Sequence, residues 1–222
     1  MPTLGQLRKE VYDANLGIWR GGLVTMHSGN ASGIDRQRGI VLIKPSGMDY
    51  HLMRPADMVM TDLDGNKLKG KWNPSVDLSE HLYIYKHCPE VGGVIHTHSN
   101  YATAMGLLGK SIPAYLTAIA DEFGDVIPCA PYVDNQGSHI GEAILKYKKK
   151  APAIILAHHG TFAWGPTPRA ALKAAVMLED VCKTVHLALL LGKPKPLPPQ
   201  EVKKWWTRYH TWYGQPGKKS DE

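Results

Sequence analysis

Two short apolar runs, each ending in histidine, constrain this chain more than any other feature. GGVIHTHS covers residues 92–99 and AIILAHH covers 153–159. Both read as strands, and helical patterns surround them. LSEHLYIYKHC (78–88) is a helix closed by Pro89, and NYATAMGLLG continues as helix after the first histidine run. PRAALKAAVMLEDVCKTVHLALLLG (168–192) is the longest helix, started after Thr167-Pro168 and stopped by Gly192 and Pro194. Near the start, Leu4, Leu7, Val11, Ala14 and Trp19 are spaced for one buried helical face. Residues 24–43 turn to short extended segments broken by Gly29, Gly33 and Gly39, and MVMTDLDGNKLKGK (58–71) reads as a hairpin of unsettled register. PKPLPP (194–199) is a stiff connector to a final helix or turn, EVKKWWTRYHTWYG, carrying five aromatics. Strand alternating with helix argues for a three-layer α/β arrangement, although spacing does not give the strand order.

With 222 residues the chain suits one well-buried domain over 1–222, ending in a C-terminal tail, and no repeat or interdomain linker divides it. No apolar run is long enough to span a membrane, and Arg8, Glu10 and Asp13 interrupt any signal-peptide core. Cys88, Cys129 and Cys182 lack CxxC spacing and read as reduced thiols, so a cytoplasmic location is expected. The formal charge of +6 permits a nucleic-acid partner without requiring one. The basic runs at 146–150 and 217–219 look like a helix end and a tail. No RNA-binding aromatic motif or zinc-finger spacing accompanies them, so no nucleic-acid partner is expected. A mildly basic protein also suits a small phosphorylated substrate.

In a strand, residues two apart share a side, so His96 and His98 project together, about 7 Å apart by strand rise. Alone they suit either one metal ion or a pair of hydrogen-bonded histidines. The second run ends in His158-His159, and adjacent strand residues point oppositely, so only one of these joins the pair readily. A third imidazole would complete three protein ligands and an open position, as in catalytic zinc sites. Asp77, in NPSVD at the head of a helix, is either a further ligand or base, or an ordinary helix N-cap.

Taken together, SGN (28–30), KPSGMDY (44–50), PSVD (74–77), GGVIHTHS, AHHGTFAWG (157–165) and WYGQ (212–215) resemble the class II aldolase and ribulose-phosphate epimerase superfamily, and within it the L-ribulose-5-phosphate 4-epimerase family. The matches run in family order over nearly the whole chain. The resemblance implies a central, mainly antiparallel sheet flanked by helices. It implies a divalent site, Zn2+ or another ion such as Mn2+ or Co2+, held by Asp77, His96, His98 and His159 rather than His158. It implies Asp121 and Tyr213 as the acid/base pair, and a C4 homotetramer in which a neighbouring protomer supplies both to each site. Gly29, Asn30, Ser46, Gly47 and Ser75 would contact substrate. Lys44 adds charge there or is simply solvated. Where the family often has a second serine this chain has Val76, which leaves a backbone N–H but no hydroxyl.

The implied activity is 4-epimerisation of L-ribulose 5-phosphate to D-xylulose 5-phosphate, as in pentose (arabinose) catabolism. The hydrogen on that carbon is not acidic, so simple proton abstraction fails. Retro-aldol cleavage of C3–C4 gives an enediolate and glycolaldehyde phosphate, and re-addition to the rotated aldehyde inverts the centre. A divalent ion stabilises the enediolate charge. Asp121 and Tyr213 start from ordinary pKa values of roughly 4 and 10, so the site must tune both. The rival reading is an aldolase such as L-fuculose-1-phosphate aldolase, where the family typically has glutamate in place of Asp77. Non-catalytic scaffold relatives such as the adducin head lack the metal histidines, which this chain keeps.

Overall fold

The computed structural model describes residues 3–214; Gln215 of the terminal motif and the basic run at 217–219 lie outside the described residues. Helix α1 (Leu4–Arg20) opens on Thr3, whose hydroxyl accepts the Gln6 N–H while the Gln6 side chain accepts the Thr3 N–H. Its inner face buries Leu7, Val11, Ala14 and Ile18. The expectation for Trp19 is corrected: Ile18, one turn beyond Ala14, takes the core position. Trp19 stays 40% exposed and stacks on Tyr50 with ring centroids 6.4 Å apart.

A meander follows, β1 (Asn30–Asp35), β2 (Ile40–Ile43), β3 (Val59–Asp62) and β4 (Lys67–Lys69). The β3–β4 hairpin is tied by the Asp62 carboxylate, which accepts from the Asp64 and Asn66 N–H groups and the Asn66 side chain, and its register shifts at Met60/Thr61. Next come α2 (Leu78–His87), β5 (Gly93–Thr97), α3 (Asn100–Leu107), β6 (Ile112–Pro113), α4 (Thr117–Phe123), β7 (Val126–Ile127) and β8 (Cys129–Ala130). The chain closes with α5 (His139–Tyr147), β9 (Ala153–Leu156), β10 (Gly160–Gly165), α6 (Pro168–Leu191) and α7 (Pro199–Thr211).

The main sheet has the order β4-β3-β2-β1-β5-β10-β9-β8. Every pairing in it is antiparallel except β8 with β9. Strands covered on both faces need continuous apolar runs, which IVLI and AIIL supply. On one face Ala31, Leu42, Ile95, Ile155 and Ala163 pack with α1, α3 and α6. On the other Val41, Ile43, Val94, Ile154 and Phe162 pack with α2 and α5. The result is the expected three-layer α/β/α arrangement with a mainly antiparallel sheet. Gly33 does not break a strand as expected. It sits inside β1, where an added Cβ would lie 2.8–2.9 Å from Pro168, Val11 and Leu7, so the glycine lets α1 and α6 press onto the sheet. Among the described residues no helix is long and apolar enough to cross a membrane.

Candidate metal centre

Antiparallel pairing brings the end of β5 beside the starts of β1 and β10: Asn30 faces His96, and Thr161 faces Thr97. His96 therefore lies on the α2 side of the sheet, stacked on Phe162 at 4.5 Å. The second histidine run departs from expectation. Strand β9 ends at Leu156, and residues 157–159 form a tight turn in which His158 takes a left-handed φ of 58°. That turn, not strand alternation, separates the two histidines. His158 is exposed against Tyr132, while His159 swings toward His96 and His98.

The three rings form a triangle with centroid separations of 4.7, 5.1 and 5.4 Å, and one ligand atom from each lies within 4.8 Å of the others. Gly160 allows this closeness, because a Cβ there would sit 2.5 Å from both His98 Cδ2 and the Thr97 carbonyl oxygen. His96 Nδ1 lies 2.9 Å from the Thr161 carbonyl oxygen. A carbonyl only accepts, so Nδ1 carries the proton and Nε2 presents a lone pair. That Nε2 is 3.0 Å from His98 Nε2. Burial holds the His96 pKa down at about 4, and burial likewise lowers His98 and His159. Neutral imidazoles, one of them oriented by a backbone carbonyl, are the form in which histidine ligates metal.

Asp77 occupies the N-cap position of α2 but makes no side-chain capping bond. Its Oδ2 instead accepts the Asn30 amide at 2.6 Å and lies 3.4 Å from Ser75 Oγ. Burial raises its pKa, yet the charges of His96, His81 and His159 and the Asn30 bond outweigh that and leave it lowered. Asn30 Nδ2 also donates to Ser75 Oγ at 2.9 Å, and Asn30 Oδ1 is buried with no hydrogen-bond partner among the described residues. The 44–47 and 73–75 loops lie side by side, since Ser75 N donates to the Lys44 carbonyl and Ser46 N to that of Asn73. Gly29 and Gly47 adopt left-handed turns, and Val76 is 81% exposed. Lys44 is not solvated. It is 1% exposed, with Nζ 2.9 Å from the His27 carbonyl oxygen and above the Tyr50 ring. Burial lowers its pKa to about 8, against the pull of Asp49 and Asp77.

Asp121 and Tyr213 are not among the groups that converge with the three histidines. Asp121 is on α4 and half-buried, and its Oδ1 is buried with no hydrogen-bond partner among the described residues. Burial raises its pKa, opposed by Arg208 and His210. Tyr213, 44% exposed, lies beside Tyr209 and under the Arg208 guanidinium. Sequence reasoning missed His81, fully buried on α2. Its Nδ1 is 2.6 Å from Ser32 Oγ, its Nε2 has no hydrogen-bond partner among the described residues, and burial lowers its pKa to about 3. Its spacing of four from Asp77, one helical turn, was the available signal.

The family described as Class II Aldolase and Adducin N-terminal domain matches residues 9–186. The chain belongs to the class II aldolase family. Relatives in this family include L-ribulose-5-phosphate 4-epimerase UlaF of Salmonella paratyphi B, 39% identical over 95% of this chain and 99% of its own. The protein of that name from Salmonella typhi matches to the same extent. Among solved class II aldolases, an L-fuculose 1-phosphate aldolase superposes with a TM-score of 0.83 at 25% identity, covering 94% of this chain and 98% of that one. Its counterpart from Glaciozyma antarctica PI12 gives 0.79 at 23% identity, covering 94% and 86%. This second likeness speaks to the fold.

Proposed function

We propose that the protein is a metal-dependent 4-epimerase interconverting L-ribulose 5-phosphate and D-xylulose 5-phosphate. The convergence of His96, His98 and His159 carries this reading. With Asp77 they would hold a divalent cation. Three nitrogens and an oxygen suit Zn2+, and Mn2+ or Co2+ fit the same donors. When bound, the cation supplies Lewis-acid stabilisation of the negative charge that develops on the substrate oxygens.

The remaining work falls to the chain's own groups. Asn30, Ser75, Ser46, the Gly29 and Gly47 turns, the Val76 N–H and the buried Lys44 ammonium would hold the phosphate. That anchor keeps glycolaldehyde phosphate in place while its aldehyde rotates between cleavage and re-addition. Asp121 and Tyr213 would exchange protons with the two aldehyde faces from a neighbouring protomer of a C4 homotetramer. Their partners within the protomer are Arg208, Tyr209 and His210, none of which belongs to the histidine cluster. Exposed Leu190, Leu191 and Trp212 are surfaces that such an assembly would cover. We read residues 1–222 as a single cytoplasmic domain.

The likeness to L-fuculose 1-phosphate aldolase supports a second reading, reversible cleavage of a sugar phosphate. The metal-loaded protein should convert L-ribulose 5-phosphate to D-xylulose 5-phosphate. Rapid cleavage of L-fuculose 1-phosphate with no epimerisation would replace the first reading with the second.

A further inference from the structure

Behind the histidine cluster lies a chain of polar groups with one loose end. Ser32 on β1, and His81 and Tyr85 on α2, are all 0–1% exposed. Ser32 Oγ is 2.6 Å from His81 Nδ1 and 2.7 Å from Tyr85 OH. The proton directions follow from counting. If His81 Nδ1 donated to Ser32, the serine proton would go to Tyr85. The tyrosine proton would then have no acceptor among its side-chain contacts, and His81 Nε2 would be an unused lone pair. In the opposite direction Tyr85 donates to Ser32 and Ser32 donates to Nδ1, so every hydroxyl proton is used. One group is then left open, the His81 Nε2–H.

That open donor belongs to the same neighbourhood as the proposed ligands. His81 is one turn after Asp77, and its backbone N–H reaches the Asp77 carbonyl at 3.4 Å. Its ring meets the edge of Phe162 at 5.8 Å, and Phe162 is the ring on which His96 stacks. Its electrostatic neighbours are Asp77 and His96. Asp77 Oδ2 already takes the Asn30 amide, while among the described residues no hydrogen bond engages its second oxygen. A carboxylate that ligates a metal is itself held by hydrogen bonds, and such supports matter nearly as much as ligands.

We propose that His81 is a positioning residue of the metal centre: with its tautomer set by Ser32 and Tyr85, it presents Nε2–H to the Asp77 carboxylate when that group turns toward a cation. This rests on the metal-centre reading above and adds a donor that lies outside the ligand set.

The two amide replacements separate this role from packing, because asparagine mimics Nδ1 of histidine and glutamine mimics Nε2. Co2+ titration of metal-free protein, followed by visible absorbance, reads the affinity. Circular dichroism of the metal-free variants checks the fold. His81→Asn should weaken Co2+ binding about 10- to 100-fold, while His81→Gln stays within about threefold of wild type. Ser32→Ala, which deletes a single atom, should weaken binding severalfold by releasing the tautomer. Equal losses in the two amide variants, a greater loss in His81→Gln, or unchanged affinity in Ser32→Ala overturns the inference while leaving the metal centre standing. A wild-type chain that takes up no Co2+ overturns both.

Discussion

Gly160→Ala tests the histidine triangle without replacing a proposed ligand. The new Cβ would lie 2.5 Å from His98 Cδ2 and 2.5 Å from the Thr97 carbonyl oxygen, where ordinary contact begins at 3.4 Å. About 0.9 Å must therefore be recovered on both sides. Thr97 is locked into the β5–β10 ladder opposite Thr161, so the backbone side yields little, and the His98 ring must swing. Metal–ligand distances tolerate only about 0.2 Å. A displacement several times larger should cut Zn2+ or Co2+ affinity at least about 10-fold, equivalent to about 1.4 kcal/mol. Overpacking should also cost about 1–3 kcal/mol of stability, which for a chain of this size is a fall in Tm of roughly 2–12 °C. Calorimetry of the metal-free protein and titration with Co2+ read the two effects separately. Gly192→Ala is the control, since nothing lies within 4 Å of a Cβ there and its backbone is extended. Wild-type affinity and melting in Gly160→Ala would show that the close approach of turn and strand does not set the triangle.

Other outcomes follow from the same geometry. His96→Asn should lose bound metal and activity together, and elemental analysis showing full metal occupancy would remove His96 from the ligand set. Tyr213→Phe should keep metal and fold while epimerisation collapses; full activity would end its assigned role. Mixing Tyr213→Phe with His96→Asn protomers should restore part of the activity if each site takes Tyr213 from a neighbour, and hybrids as inactive as their parents would argue against interfacial sites. Lys44 titrates at about 8 because it is buried, so its ammonium is charged below that pH and neutral above it. KM for the phosphorylated substrate should therefore rise as pH passes through about 8. Lys44→Met should show a high KM without that limb, and a flat wild-type KM from pH 7 to 9 would dissociate Lys44 from phosphate binding.

What was legible in this chain is what depends on neighbours in sequence. The start of α6 after Thr167-Pro168, the 58–71 hairpin and the apolar strand runs are local, and each formed where expected, while the turn the hairpin uses, built on Asp62, was left open. Strand order is a product of pairings distant in sequence, such as Asn30 with His96, and no periodicity encodes them. The same division explains the corrections. Alternation along a strand was the wrong rule for His158-His159, because β9 stops at Leu156 and a left-handed residue makes the choice. Gly33 looked like a break because its missing side chain is a tertiary fact, the room taken by Pro168, Val11 and Leu7. Lys44 was left between a substrate contact and a solvated side chain because nothing beside it in sequence announces the Tyr50 ring and the His27 carbonyl that enclose it.

The residues proposed to carry chemistry occupy the boundary between these two kinds of information. His96 and His98 were visible because a strand places them on one side. His81 was not, because its significance lies in a hydroxyl borrowed from β1 and a nitrogen left without a partner. An orphaned polar atom inside a protein costs roughly 1–3 kcal/mol. Six such atoms lie among the described residues; those on Thr61, Ser99 and Thr103 have no assigned role, while three belong to Asn30, His81 and Asp121, groups proposed to serve the reaction. A fold optimised for stability alone would have paired or removed them. Their persistence is understandable if the missing partners are a cation, a substrate and a second protomer, which is the arrangement the hybrid-protomer and Co2+ experiments address from opposite ends.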